Sequence, residues 1–266
     1  MSARASLTVA LITKNAGPRF KACLASVGWA DEVVIVDSGS TDGTLEIAKA
    51  AGAKIVQSEG WPGFGPQRQR AQSEVSSDWV FWLDSDEVVT PELRRSIEAV
   101  LAQPEPDFAY SVPRLTDFFG RFIRHSGWYP DRVVRLYAKD RYQYDDALVH
   151  EKVNVEKSKV KPLSGDLLHY TADEFHGYMA KSLRYANDWG QAKFAKGKRT
   201  GVFGIVGHSL ACFVKKYFFQ LGFLDGKHGF LLACQSTHYV FNKYLALWVL
   251  TQQSKHRASV SQKPDS

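Results

Sequence analysis

The amino-acid sequence predicts an α/β fold in which a mostly parallel sheet is flanked by helices and followed by a C-terminal helical extension. Three observations lead there. Short apolar runs at 7–13, 32–37, 54–57 and 79–83 each end in polar residues, helix-length segments separate them, and the charge balance changes after residue 170. Strands that alternate with helices form right-handed crossover units, which sets the strands parallel and their carboxyl ends along one edge.

The first run, Leu7-Thr8-Val9-Ala10-Leu11-Ile12-Thr13, stops at Lys14-Asn15, and residues 17–27 have the length of a helix. Glu32-Val33-Val34-Ile35-Val36-Asp37 is a second strand that ends in a carboxylate. Residues 42–51 follow as a helix with Leu45, Ile47 and Ala48 on its apolar face, and Lys54-Ile55-Val56-Gln57 is a short third strand. A glycine-rich loop, Gly60-Trp61-Pro62-Gly63-Phe64-Gly65-Pro66, leads into a helix carrying Gln67, Arg68, Gln69 and Arg70.

The fourth run, Trp79-Val80-Phe81-Trp82-Leu83, is apolar at every position, as a parallel strand buried on both faces must be. It stops at Asp84-Ser85-Asp86-Glu87, on the edge where open α/β sheets bind ligands. Two carboxylates two residues apart there suit Mg²⁺ or Mn²⁺ that takes its other ligands from water and a substrate diphosphate. By itself the pair also fits a polar loop ahead of the helix that Thr90-Pro91-Glu92 begins. Further on, Arg132-Val133-Val134-Arg135-Leu136 reads as a strand, and Leu167-Leu168-His169 as the last one. Thr171-Ala172-Asp173-Glu174 is a capping box that starts a helix toward Gly197.

Thr8 to Asn15, the run Val36-Asp37-Ser38-Gly39-Ser40-Thr41-Asp42-Gly43-Thr44, and Asp84-Ser85-Asp86-Glu87, in this order and spacing, resemble the family 2 glycosyltransferases of the GT-A fold. That fold has a Rossmann-like mixed sheet. Val149-His150-Glu151 and Gly222-Phe223-Leu224-Asp225-Gly226-Lys227-His228-Gly229-Phe230 extend the resemblance, over nearly all 266 residues, to the lipopolysaccharide core glycosyltransferases. Those enzymes add glucose to an inner-core heptose. The resemblance therefore implies an inverting, Mg²⁺- or Mn²⁺-dependent transfer of a hexose, glucose first, from a UDP-sugar donor to a lipid-linked oligosaccharide acceptor.

It also implies roles for residues. Asp37 is the expected acceptor for the uracil N3–H, with Thr13 and Asn15 lining the same pocket and Asp42 as a helix cap. The glycine-rich loop and Arg68 are expected over the diphosphate, with one of Arg68 and Arg70 left to solvent because residues two apart on a helix diverge. Asp84 and Asp86 are expected to meet the donor and the metal, and His169 to complete the metal shell. Glu151 is the expected base for the acceptor hydroxyl, with Asp146 and Asp145 as rivals and His150 as an acceptor contact. Trp128, in Gly127-Trp128-Tyr129-Pro130, is expected to stack on a sugar from a closing loop. Arg132 and Arg135, from one strand face, are expected either to meet phosphate or to pair with Asp131 or Glu87.

Charge divides the chain. Residues 1–170 carry 21 basic and 23 acidic side chains and residues 171–266 carry 13 and 5, so balances of −2 and +8 make up the net +6. The basic part is also aromatic, with Phe203, Phe213, Tyr217, Phe218, Phe219, Phe223 and Phe230 among others. A basic, aromatic, helix-prone segment suits the surface of an anionic membrane. The run 202–214 is too short to span and is expected to stop at Lys215-Lys216. The expected organisation is a catalytic domain over 1–170, a membrane-associating helical extension over 171–258 and a disordered tail over 259–266.

No nucleic-acid-binding motif accompanies the basic residues. Residues 7–12 carry no cleavage pattern, and Cys23, Cys212 and Cys234 have neither metal spacing nor a disulfide framework, which fits the cytoplasmic face of a bacterial inner membrane. Transfer to polyprenyl phosphate or another cell-surface glycolipid is the enzymatic alternative. A nucleotidyltransferase would carry a glycine-rich basic signature near the first strand, and residues 7–17 lack one. A non-catalytic nucleotide-binding adaptor would have no need of Asp84, Asp86 and Glu151 together.

Overall fold

The computed structural model describes residues 4–149, 151–171 and 174–260. His150, two residues of the capping box and positions 261–266 of the expected tail lie outside the described residues. The chain forms two compact units: one made of the chain through Thr116 together with Pro130–Tyr170, the other of Asp117–Tyr129 with the chain from Thr171 onward.

The first unit holds β1 (Leu7–Thr13), α1 (Phe20–Ala25), β2 (Glu32–Asp37), α2 (Thr44–Ala50), β3 (Lys54–Gln57), α3 (Phe64–Ser73), β4 (Trp79–Trp82), β5 (Glu87–Val89), α4 (Pro91–Ala102), β6 (Ala109–Thr116), β7 (Asp131–Ala138), β8 (Val160–Pro162) and β9 (Leu167–His169). The sheet order is β3-β2-β1-β4-β7-β6-β9-β5, with β8 paired to β6. The first four strands in that order are parallel, and β7 joins them antiparallel. This is the mixed, mostly parallel sheet the apolar runs predict.

Alternation along the strands builds a core on each face. Leu7, Val9, Leu11, Phe81 and Leu83 meet Phe20 of α1 and Ile97 of α4 on one side. Ala10, Val36, Val80 and Trp82 meet Ala71 of α3 and Tyr137 of β7 on the other. Burying a large apolar side chain is worth roughly 1.5–3 kcal/mol, so a slip of one residue in β4 would exchange both cores at once. Register is fixed accordingly. Thr13 pairs with Asp37 and Asp37 with Gln57, while the Leu83 amide donates to the Ala10 carbonyl at 3.1 Å, which delivers Asp84 to the same edge.

One irregularity matters for the site. Tyr110 pairs with Leu136 but Ser111 with Val134, so Arg135 is an extra residue in β7. Such a bulge re-aims the side chains beside it. Residues three apart on a regular strand face opposite ways, yet Arg132 and Arg135 line one cleft.

In the second unit α5 (Phe175–Ala195) and α6 (Val202–Val214) both pack on α7 (Gly226–Val260). Helix α5 is capped by Glu174, whose carboxylate accepts from the His176 and Gly177 amides, and not by Thr171 as the capping box predicts. Gly190 lets α5 approach α7 closely, since a Cβ there would lie 2.8 Å from Ala246 Cβ. Helix α7 runs to Val260, into the tail expected to be disordered. Asp225 is buried and accepts from the His125 amide at 2.8 Å and the Arg124 amide at 3.3 Å, which ties residues 117–129 to this unit.

The lysines at 215–216 do not end the apolar run. The helix continues through a π-turn, Lys215–Phe219, so that 202–219 is an 18-residue span of mean hydropathy 1.2, long and apolar enough by composition to cross a membrane and only 11% buried. Part of the aromatic content packs internally: Tyr217 contacts Phe213 and Phe230, and His208 stacks on Tyr244 at 4.1 Å. Val202, Val206, Leu210, Val214 and Phe218, four apart, form an exposed apolar stripe beside Phe203 and Phe219, which are 95% and 80% exposed.

Candidate active site

The site lies in the first unit, at the carboxyl edge of β1, β2 and β4. One end of it is a loop held by Asp37. Oδ1 of this buried carboxylate accepts from the Gly39 amide at 3.0 Å and the Ser40 amide at 2.8 Å, while Oδ2 accepts from Thr13 Oγ1 at 3.1 Å and from the Ser40 hydroxyl. Asn15, in the left-handed region at φ 51°, receives the Thr41 amide on Oδ1 at 2.8 Å and donates its own amide to Ser40 Oγ at 2.8 Å. Thr13, Asn15 and Asp37 are therefore brought together, and Asp37 does the work of a turn. Asp42 receives the Thr44 amide at 3.0 Å, and this bond and the Thr44 hydroxyl hold its carboxyl below the ordinary range.

The glycine-rich loop is used differently from the expectation. The Phe64 amide donates to Leu148 O at 3.1 Å and the Gly65 amide to Ala147 O at 2.9 Å. A Cβ on Gly65 would lie 2.8 Å from Ala147 O, so the glycine admits the 145–148 segment. These amides serve the chain.

Arg68, on α3, is buried and links two candidates: Nη2 donates to Asp84 Oδ1 at 2.8 Å and Nε to Glu151 Oε1 at 2.8 Å. Tyr144 and Trp82 lie against its guanidinium, 4.9 and 5.3 Å from the ring centroids. Arg135 donates from Nη2 to Asp84 Oδ2 at 2.6 Å and to Glu87 Oε1 at 2.8 Å, the pairing with Glu87 weighed for it in the sequence. Arg70 is not left to solvent; it bonds to the Ser58 hydroxyl.

Burial alone would raise the Asp84 carboxyl, but the charges of Arg135 and Arg68 hold it well below the usual carboxylate range. Burial pushes Glu87 up, and the Asp84 charge adds to that against the pull of Arg135. Both arginines are held protonated by Asp84 against the opposing effect of burial. Arg68 Nη1 and Arg135 Nε are buried with no hydrogen-bond partner among the described residues.

Asp86 is half-exposed and points elsewhere. Its Oδ2 lies 3.5 Å from His169 Nε2, and His169 Nδ1 lies 3.3 Å from Thr116 Oγ1, a contact of the kind that orients a metal-binding imidazole. Strand pairing of Glu87 with His169 and the Tyr170 amide on Asp86 O at 2.9 Å fix this arrangement. Among the described residues no group of three or more His, Cys, Asp or Glu could hold an ion. One carboxylate and one imidazole fit a divalent cation that keeps waters and takes phosphate oxygens. Asp84, expected as a third ligand, has each oxygen committed to a guanidinium.

Glu151 lines a cleft of about 950 Å³ together with Arg68, Asp84 and Arg135. Asp146 is exposed, and Asp145 receives the Lys152 amide on Oδ1 at 3.1 Å. Trp128 belongs to the second unit, where it packs edge-on against Phe118 at 5.7 Å. Sequence reasoning missed Arg114, which pairs with Asp131, and Tyr144 and Thr116. No motif marks them; β6 brings in Arg114 and Thr116, and an isolated bridge to Val153 places Tyr144.

The family model described as Glycosyl transferase family 2 matches residues 8–157. An uncharacterized glycosyltransferase of Rickettsia prowazekii (strain Madrid E) is 28% identical over 248 residues, covering 89% of this chain and 84% of that one. The lipopolysaccharide core biosynthesis glycosyltransferase LpsC of Rhizobium meliloti (strain 1021) is 28% identical over 240 residues, covering 88% and 89%. Among solved structures, glucosyl-3-phosphoglycerate synthase from Mycobacterium tuberculosis, in complex with Mn²⁺, UDP and glucosyl-3-phosphoglycerate, is similar at 25% identity and a TM-score of 0.36, over 42% of this chain and 44% of that one. That likeness spans less than half of either chain.

Proposed function

As a member of glycosyl transferase family 2 the chain is a glycosyltransferase, and we propose that it moves a hexose, glucose first, from a UDP-sugar to the heptose region of a lipopolysaccharide core acceptor with inversion at the anomeric carbon. The observation that carries this reading is the Arg68 bridge. One buried guanidinium holds both the strand-end carboxylate Asp84 and the base candidate Glu151 at the wall of one cleft. Similarity to LpsC supports the class of acceptor.

The residues divide the task. Thr13, Asn15 and the Asp37 loop receive the nucleotide, the uracil N3–H exchanging with one of the bonds Asp37 makes to its own loop. Arg68 and Arg135 keep Asp84 ionised and in place. Glu151 Oε2 makes no hydrogen bond among the described residues, so this oxygen takes the acceptor hydroxyl's proton while Oε1 stays anchored on Arg68. Asp86 and His169 would hold Mg²⁺ or Mn²⁺, which when bound neutralises the charge developing on the UDP leaving group.

The segment 171–266, with its +8 balance and the exposed 202–218 stripe, docks on an anionic membrane surface and keeps the enzyme where a lipid-linked acceptor is found. The test of the whole reading is a screen of UDP-sugars with purified protein, Mg²⁺ or Mn²⁺ and a heptose-containing glycolipid, read by mass spectrometry. Gain of one hexose from UDP-glucose supports it. Transfer to polyprenyl phosphate and not to the heptose acceptor would replace the acceptor, and release of UDP from none of the donors would remove the donor class.

A further inference from the structure

The cleft beside Glu151 carries more positive charge than its own carboxylates use. Six cationic and three anionic side chains line it. Arg68 and Arg135 are committed to Asp84, Glu87 and Glu151, and Arg114 to Asp131 through Nε at 2.9 Å and through Nη2. That leaves Arg132, Lys152 and Lys157, all exposed, with no carboxylate partner among the described residues. Arg132 has only a contact of its Nη1 with Leu163 O at 3.4 Å.

Three unpaired cations on one concave wall focus a positive potential into it, which a neutral sugar has no use for and an anion does. Thr13, Asn15 and Asp37, which define the nucleotide end, do not line this cleft, and neither do Asp86 and His169; Glu151 does. We propose that this is an acceptor subsite, and that Arg132, Lys152 and Lys157 select an acceptor bearing an anionic group, phosphate or carboxylate, close to the hydroxyl that Glu151 deprotonates. The inference rests on the proposed transfer from a UDP-sugar with Glu151 as base. The bulge at Arg135 has a role in it, because it turns Arg132 and Arg135 onto the same cleft, one for the acceptor and one for Asp84.

The test uses the full chain saturated with UDP and Mg²⁺, titrated calorimetrically with glucose 6-phosphate, glucuronate, glucose and inorganic phosphate. At least one of the two anionic sugars is expected to bind about tenfold or more tightly than glucose, the scale of one or two charge-assisted hydrogen bonds. Which of them does so identifies phosphate or carboxylate. In the Arg132→Gln/Lys157→Gln double variant, and in the single Lys152→Gln variant should the double fail to fold, that preference falls by about tenfold while UDP affinity stays within about twofold. Equal binding of glucose and both anionic sugars overturns the proposal, as does an unchanged preference in the variants. Loss of UDP affinity to the same degree assigns these cations to the donor diphosphate and also overturns it. A wild-type protein that binds no UDP at all refutes the UDP-sugar reading instead, so the two failures are separate.

Discussion

Arg68 Nε lies 2.8 Å from Glu151 Oε1, an ion pair between a helix that follows the third strand and a loop 83 residues later. Because the same guanidinium also bonds Asp84, the donor-side carboxylate and the base candidate share one counterion. Replacing Arg68 by methionine leaves both carboxylates without it, and breaking such buried pairs typically costs about 3–5 kcal/mol. A fall in melting temperature together with loss of transfer is expected, and retention of either would show that the bridge is not shared.

The metal proposal separates Asp86 from Asp84. Asp86→Ala is expected to abolish transfer and to weaken UDP binding only when Mg²⁺ or Mn²⁺ is present. Thr116→Val, which removes the hydroxyl beside His169 Nδ1, is expected to lower Mn²⁺ affinity by about tenfold, the lower end for losing an outer-shell partner. Titration of Mn²⁺ by electron paramagnetic resonance in the presence of UDP reads both. Normal Mn²⁺ affinity in both variants would move the ion elsewhere.

The turn that Asp37 holds and the uracil contact proposed for it separate in a variant. Asp37→Ala leaves the solvent-accessible Gly39 and Ser40 amides without their acceptor, at about 0.5–1.5 kcal/mol for each hydrogen bond lost. A raised KM for the donor with most of kcat retained is therefore expected alongside a lower melting temperature. A lowered melting temperature with an unchanged KM would leave Asp37 a turn residue only.

Acid stability tests the arginine clasp. The folded-state pKa of Asp84 is depressed, so its stabilisation is present above the ordinary carboxylate range and is lost as pH falls from about 4 downward. Glu87, raised by burial, contributes with the opposite sign as pH rises. Melting temperature followed from about pH 5 to about pH 2.5 is expected to fall less steeply in Asp84→Asn than in the wild type, because the variant has no such proton to take up. Parallel curves would contradict the clasp.

The exposed stripe gives a membrane test in the full chain. Phe203→Ser with Phe219→Ser removes two aromatic side chains from the surface, each worth on the order of 1–2 kcal/mol of partitioning. Sedimentation with anionic vesicles at low salt is expected to fall in the double variant, and high salt is expected to release part of the wild type. Equal sedimentation of variant and wild type would leave the stripe without a membrane role.

Much of the sheet is legible in the sequence because parallel strands buried on both faces are short apolar runs with polar ends. β1, β2 and β3 begin and end where those runs do. Asp84, Asp86 and His169 are legible as a motif and a strand end. The arginine network is not, since Arg68, Arg114 and Arg135 come from three separate elements and the bulge that turns Arg135 leaves no mark in residue type. Gly65 reads like a phosphate loop glycine, yet its space is filled by the 145–148 segment. Lys215 and Lys216 read as the end of a helix, yet the backbone continues past them through a π-turn.

The central claim is that Glu151 takes the acceptor proton in a sugar transfer, and the measurement that tests it most directly compares wild type, Glu151→Gln and Asp146→Asn in steady-state transfer from UDP-glucose alongside UDP-glucose binding. Glu151→Gln is expected to keep donor affinity and to lose about 10²-fold or more in kcat, the usual scale for a general base, with Asp146→Asn near wild type. Undiminished kcat in Glu151→Gln, or the loss appearing in Asp146→Asn instead, would contradict it.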